Sequence, residues 1–475
     1  MIESAWPPWS QFDCDVVVLG ASYGGLVVAT LLAEAGKRTI IVDPAERVGV
    51  PGGTWPHKGY WLPWGHRDGP GMRQNSFTTY RWNFEAAERA GVELPVVGPH
   101  DPTMLVHLLP ENEVLPLHVG GSTFERLARE VLLLDDESIT ELQHLLERLA
   151  TTSRADAEAL IPVRVGDWLR DNDVSKPASD GLLAYLTMIW SVPPEETSVG
   201  RLIINNLQTP FGLYSMNHPD YGGNQGVVEL YAARFRELGG EIRFDEKPHE
   251  ILMEDGRAVG VRTRTSTSFV REIRAAAVVF TPPAYMVFDL VDEARFPSDF
   301  VAKARSVKKY ETPLLSLFLG LRDLPRRRRD GLPEDTVCFQ RLLLGPERRL
   351  GGGWSVWSNG CRSLAPAGKH LLGIHLSDAF ASFDDAKARF AELVDYVRTY
   401  YVDLEDVTEW HEYEWITETQ SMPWTLKTDE RAPMRTPIDG LYLAGFSTEV
   451  VGTDYDAEAN SAIQVADMII AGETS

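Results

Sequence analysis

The stretch Asp13-Cys-Asp-Val-Val-Val-Leu-Gly20-Ala-Ser-Tyr-Gly-Gly25 decides the fold. Within it, Val16-Val17-Val18-Leu19 is a continuous, largely β-branched apolar run, as a strand buried on both faces of a parallel sheet requires. Gly20 stands where the chain must turn tightly, and Gly25 where the next helix must pack close to the strand. That helix is expected over about Gly24 to Ala35, almost wholly apolar through Ala33 and ended by Gly36 with Lys37 and Arg38 beside it. A second strand, Thr39-Ile-Ile-Val42, runs into Asp43. The acid falls roughly 20 residues beyond the glycines, where a carboxylate accepts the hydroxyls of an adenosine ribose while the helix N-terminus takes the pyrophosphate. Strand, turn, helix, strand and acid in register point to dinucleotide binding, with a purely structural βαβ unit as the alternative. The middle glycine of the usual G-x-G-x-x-G is Ser22, which is small and able to donate its hydroxyl to a phosphate.

Composition narrows the rest. A chain of 475 residues is long enough for two domains and a large core. Against 46 Lys and Arg stand 69 Asp and Glu, a net charge of −23 that repels nucleic acid and anionic lipid. The basic run Arg326 to Arg329, between Pro325 and Asp330, is expected to be a solvated turn. Cys14, Cys338 and Cys361 are too few and too scattered for a disulfide framework or a metal site, which fits a cytoplasmic protein. The first residues carry no basic n-region, and no apolar run approaches the ~20 residues of a membrane helix, so a soluble chain without stable membrane insertion is expected.

After Asp43 the segment Arg47 to His66 is so rich in Gly, Pro and Trp that a long ordered loop without regular structure is expected. Trp55, Trp61 and Trp64 either lie across a flat heterocycle or anchor the loop to the core. From about 123 to 215 the pattern reads as a helical insertion, with Ser138-Ile-Thr-Glu141 as a capping box and Ile139, Leu142, Leu145, Leu146 and Leu149 on one face. A helix from near Tyr221 to Leu238, the strand Glu241-Ile-Arg-Phe, a meander over 250–261 and a buried strand at Ala275-Ala-Ala-Val-Val-Phe return to the first sheet. Leu314 to Leu321 and Leu371 to Leu376 suggest a second sheet, covered by an amphipathic helix from about Asp384 to Tyr401. Strand, glycine turn and helix recur at Asp439-Gly-Leu-Tyr-Leu-Ala-Gly445-Phe446 and Asp456 to Ile470.

Taken together, these markers make the chain resemble the flavin-dependent amine oxidase and phytoene desaturase superfamily over nearly its whole length. They are the 16–25 motif, Gly52-Gly53-Thr54 with Gly59-Tyr60 and Gly65, Gly239-Gly-Glu-Ile242, Asp255-Gly-Arg-Ala-Val-Gly-Val261, and Ile438-Asp-Gly-Leu-Tyr-Leu-Ala-Gly445. Leu364-Ala-Pro-Ala-Gly-Lys-His370 is similar to the desaturase and retinol saturase branch. The resemblance implies an α/β fold in which a Rossmann-like FAD-binding domain of glutathione reductase type (1–85, 216–290 and 430–475) is interleaved with a mixed-sheet and helical substrate domain (86–215 and 291–429). It implies noncovalent FAD, held by positions matching Gly20, Ser22, Gly24, Gly25 and Asp43, by Gly52, Gly53 and Thr54 over the diphosphate and ribityl chain, and by Gly445, Phe446, Asp456 and Ala457 beside the flavin.

Three departures stand out. Pro248 replaces a valine whose N–H and C=O both pair with adenine, and proline has no N–H. Phe446 replaces an acid, with Ser447 or Thr448 as substitutes. Asp456 and Glu458 place carboxylates in a segment the family makes from Gly and Ala, and Asp456 is expected to cap its own helix.

The implied activity is hydride transfer between flavin N5 and an apolar or aromatic small molecule, desaturating or reducing a carbon–carbon bond, with NAD(P)H as an external reductant in the reducing direction. The alternatives are a flavin amine or amino-acid oxidase and a flavin-free binding protein similar to the GDP-dissociation inhibitors. Trp190, Tyr214, Trp357 and Trp424 are expected to line the substrate pocket, without an arginine in their segments. His66 is the candidate catalytic residue, ahead of His57, Tyr214, Trp424 and Glu458. No metal site is expected.

Overall fold

The computed structural model describes residues 12–50, 53–63, 76–78, 81–100, 103–109, 113–118, 123–189, 194–208, 213–310, 314–337, 339–344, 349–377, 382–416, 430–452 and 454–472. Its mixed α/β architecture is built on two seven-stranded sheets.

The first sheet grows from Cys14–Leu19, whose residues from Val16 to Leu19 are all buried. Thr39–Val42 lies parallel on one side of it, and Glu241–Arg243 continues the sheet beyond. On the other side runs the long strand Val270–Phe280. Residues 275–280 pair parallel with the first strand, and Leu441–Leu443 joins their far side. Residues 270–274 pair antiparallel with Arg257–Arg264, which leads to Lys247–Glu254. One strand thus joins a parallel sheet to an antiparallel meander.

The helix Tyr23–Glu34 is buried along every residue from Tyr23 to Ala33, because it is sandwiched between the sheet, Asn224–Glu237 and Asp454–Ile470. Its close approach depends on glycine. A Cβ at Gly25 would lie 2.0 Å from the Gly20 carbonyl oxygen, and Gly20 itself takes φ +112°, a conformation that L side chains rarely adopt.

The second sheet runs in the order Thr408–Ile416, Leu314–Leu321, His370–Ser377, Arg349–Val356, Phe339–Leu344, Thr103–Leu109 and Glu113–His118. Leu314–Leu321 and His370–Ser377 are antiparallel neighbours, and Phe383–Tyr400 packs Phe390, Leu393 and Val397 onto the sheet. A helical layer of Asp136–Ala150, Arg154–Ala159, Val165–Asp171 and Lys176–Ile189 closes over Phe446, Val450 and Ala457.

Four local expectations change. The Gly, Pro and Trp-rich segment contains a hairpin, Thr54–His57 with Tyr60–Pro63, because Lys58 (φ 51°) and Gly59 (φ 84°) make a two-residue turn of the twist that hairpins favour. Its prolines are tolerated because a two-stranded ribbon has free edges. Ser138 does not cap its helix: Asp135 precedes it and accepts from the Ser138 N–H at 2.8 Å. The helical run ends before 215, where Leu213–Met216 is a strand between Ser76–Thr78 and Val96–His100. Of the basic run, Arg327 is buried and bonded to buried Glu334 at 3.1 Å, so only part of that turn is solvated.

Candidate functional site

At the carboxyl ends of the parallel strands, where such sheets bind ligands, lies a groove of about 650 Å³. Gly20, Ser22, Asp43, Pro248, His249 and Thr281 line it. Phe446, Ser447 and Glu458 reach it from the C-terminal segment.

The Asp43 carboxylate is buried and aimed by two backbone donors, Ala21 N–H at 2.6 Å and Ala45 N–H at 2.7 Å. Each oxygen retains lone-pair capacity for a further donor. Burial raises its pKa against the lowering effect of those two hydrogen bonds. The Ser22 side chain makes no capping hydrogen bond to the helix it precedes. Pro248 sits beside a register shift in the strand pair Lys247–Glu254 and Arg257–Arg264, where a missing N–H costs the ladder little. Next to it, His249 Nδ1 is buried with no hydrogen-bond partner among the described residues.

Gly53 and Thr54 follow the Gly49 turn. Gly53 N–H donates to Gly49 carbonyl, and Thr54 Oγ1 donates to Gly222 carbonyl at 2.6 Å. Gly445 N–H donates to Ser461 Oγ at 2.8 Å, which ties the last strand to the C-terminal helix. Ser447 Oγ accepts from Ala284 N–H at 3.0 Å. Phe446 packs into the helical layer with Ala457, and its carbonyl is held by Arg431 at 3.1 Å. Arg201 and Arg431, both fully buried, converge on the Val450 carbonyl. Their burial pushes both guanidinium pKa values down.

Asp456 stands inside the helix Asp454–Ile470 rather than before its first residue. Its Oδ1 accepts from Trp82 and Asn83 N–H, each at 3.0 Å, and so serves the first turn of Arg81–Ala90.

The family described as flavin containing amine oxidoreductase matches residues 23–470. The chain belongs to that family. This flavin containing amine oxidoreductase is similar to one of the limonene dehydrogenase subunits of Castellaniella defragrans, 22% identical over 390 residues that cover 70% of this chain and 64% of the relative. It is similar to prolycopene isomerase of Daucus carota, 24% identical over 409 residues, 76% of this chain and 61% of the relative. The matches span less than two thirds of the length of these curated relatives. Among solved structures, an oxidoreductase from Methanosarcina mazei superposes with a TM-score of 0.66 at 17% identity, covering 95% of this chain and 100% of that one, a likeness of fold.

This flavin containing amine oxidoreductase offers donors and acceptors that suit FAD: an aimed carboxylate, a glycine turn before a helix, and a histidine nitrogen without a partner among the described residues. Gly20, Ser22, Asp43, Pro248 and Phe446 come together on the groove; Gly24 and Gly25 lie in the helix Tyr23–Glu34 and Asp456 and Ala457 in the helix Asp454–Ile470, Gly445 immediately precedes Phe446, and Gly53 and Thr54 are not among the lining residues. Gly52, His66, Trp190 and Trp424 lie outside the described residues. Tyr214 is half-buried and edge-on to Phe84 at 6.0 Å. Trp357 is only 2% exposed, packs with Tyr60, Leu62, Phe318 and Leu364, and sits against Gly373, where a Cβ would come within 2.4 Å of the ring. His57 is held between Trp55 and Trp410 rings, with centroids at 5.2 and 4.9 Å, and Trp61 stands edge-on to Tyr221 at 5.5 Å. These contacts anchor the hairpin.

Sequence reasoning missed His249 as a groove residue and Arg201 as a buried cation. For His249 a signal was present, since it adjoins the proline that breaks the family pattern. For Arg201 there was none.

Proposed function

We propose that the protein is a noncovalent FAD oxidoreductase acting on an apolar small molecule, desaturating or reducing a carbon–carbon bond. The observation that carries the proposal is the groove in which the Gly20 turn, the aimed Asp43 carboxylate and the Pro248–His249 pair meet. In this reading Asp43 accepts the ribose hydroxyls, the first turn of the Tyr23–Glu34 helix faces the diphosphate, and His249 Nδ1 supplies the adenine contact that Pro248 has no N–H to make. Gly53, Thr54, Ser447 and Ala457 lie along the rest of the cofactor. A bound flavin supplies hydride transfer at N5, and the chain supplies orientation and exclusion of water. The relatives named for limonene and prolycopene support an apolar, uncharged substrate class.

The absorption spectrum of the purified protein, before and after incubation with FAD, is the first test. A flavin spectrum is expected, and acid precipitation should leave the flavin in the supernatant. Anaerobic reduction and reoxidation of that flavin by terpenoid hydrocarbons, with NADH and NADPH supplied in parallel, then separates desaturation from reduction. Protein that stays colourless with excess FAD, or peroxide release on an amine panel with no response to hydrocarbons, overturns the proposal.

A further inference from the structure

The first turn of a helix leaves backbone N–H groups without partners inside the helix, and the macrodipole makes that end an anion site. In Tyr23–Glu34 this pole is engaged by a side chain from the far end of the chain. Gly24 N–H donates to Glu458 Oε2 at 2.8 Å. Glu458 belongs to the helix Asp454–Ile470, is 8% exposed, and lines the groove together with Gly20, Ser22 and Asp43. The contact is close-fitting, because a Cβ at Gly24 would lie 3.1 Å from Glu458 Oε2 and 3.4 Å from Glu458 Cβ. A buried carboxylate therefore holds an N–H that a dinucleotide phosphate takes at such a helix end.

We propose that Glu458 is a resident anion of the diphosphate site, and that FAD binds by displacing it rather than by entering a ready-made cradle. The inference rests on the FAD reading above. Two consequences follow from like charge. With the carboxylate in place, a diphosphate at the same pole is repelled; with the carboxylate moved aside, its hydrogen bond to Gly24 N–H is forfeited and its burial must be compensated. Either way Glu458 lowers the affinity for the diphosphate part of the cofactor and leaves the affinity for adenosine unchanged.

The test uses the full chain stripped of flavin, titrated with FAD, ADP and adenosine, beside Glu458→Gln and Glu458→Ala. Gln keeps the size and an acceptor while removing the charge. Ala frees the Gly24 N–H. Loss of one close like charge should tighten FAD and ADP binding by about tenfold or more in both variants. Adenosine binding should not change. In thermal melts without flavin, Glu458→Ala should unfold at a lower temperature than wild type, and saturating FAD should close that gap. Equal or weaker FAD and ADP binding in both variants overturns the inference while leaving the FAD reading intact. A gain for adenosine as large as that for ADP also overturns it, since the effect would then lie outside the diphosphate pole. Binding of neither FAD nor ADP by any of the three proteins overturns the FAD reading itself, and this inference with it.

Discussion

Asp43 was readable from its distance to the glycine turn, because a βαβ unit fixes where the second strand must end. The residues that face it were not all readable. Glu458 meets Gly24 across 434 positions, and Asp456 caps a helix that begins at Arg81 rather than its own, so both roles depend on helix packing that no local pattern encodes. The carboxylate of Asp43 accepts two backbone N–H groups, and its proposed contact to the ribose is tested beside that role. Asp43→Ala removes the acceptor for Ala21 and Ala45 N–H as well as the charged acceptor read to hold the ribose. FAD binding should weaken by about 1–3 kcal/mol, the range for losing a charged hydrogen-bond acceptor, and the flavin-free protein should lose stability in the same range. Asp43→Asn keeps one acceptor oxygen and should fall between the two. Calorimetric FAD titrations and urea melts of the three proteins give both quantities. Unchanged FAD affinity in Asp43→Ala would show that the ribose lies elsewhere.

Among the elements, strongly periodic ones were readable and irregular ones were not. The strand Leu314–Leu321 and the helix Phe383–Tyr400 announce themselves by burial pattern, whereas the Thr54–Pro63 hairpin hides behind two prolines and Thr103–Leu109 behind a segment with no clear period. Thr103–Leu109 brings in a buried base that is expected to contribute to acid sensitivity. His107 is fully buried, with Nδ1 3.0 Å from Tyr396 OH and Nε2 2.9 Å from Gln340 Oε1, against the Trp354 ring. Gln340 continues to Tyr401 OH at 3.0 Å, so the imidazole anchors a polar chain through the second sheet. Burial lowers its pKa from 6.5 to about 3. A base with a depressed folded pKa binds fewer protons folded than unfolded, so its contribution is fully present above pH 6.5 and is lost as pH falls from 6.5 toward 3. The slope within that window is up to about 1.4 kcal/mol per pH unit. His107→Gln, which cannot titrate, should show a shallower loss of stability than wild type between pH 6 and 4 in urea melts, whatever its stability at pH 7. Parallel curves would place the acid sensitivity in other groups.

At the scale of the whole molecule, the groove is closed by parts of the chain that lie far apart: the turn at Gly20, the strand end at Pro248, and the segment from Phe446 to Glu458. Periodicity located the strands that bring these together, and the marker residues ordered them, but the groove's chemistry depended on which side chains the helices turned inward. The same scale bears on how the proposed apolar substrate would arrive. A net charge of −23 opposes an anionic bilayer, and no helix among the described residues is long and apolar enough to cross a membrane. On that charge, the proposed apolar substrate is expected to reach the protein from solution or from a carrier, and to be short enough for either route. Flotation with neutral and with anionic phosphatidylserine vesicles should leave the protein at the bottom of the gradient in both cases, at low as well as physiological salt. In the anaerobic assay, short terpenoid hydrocarbons dispersed without lipid should then change the flavin spectrum as fast as the same compounds in vesicles. Tight flotation together with turnover confined to long polyenes held in the bilayer would instead make this a membrane-surface enzyme, and the acidic surface would have to lie away from the face that docks.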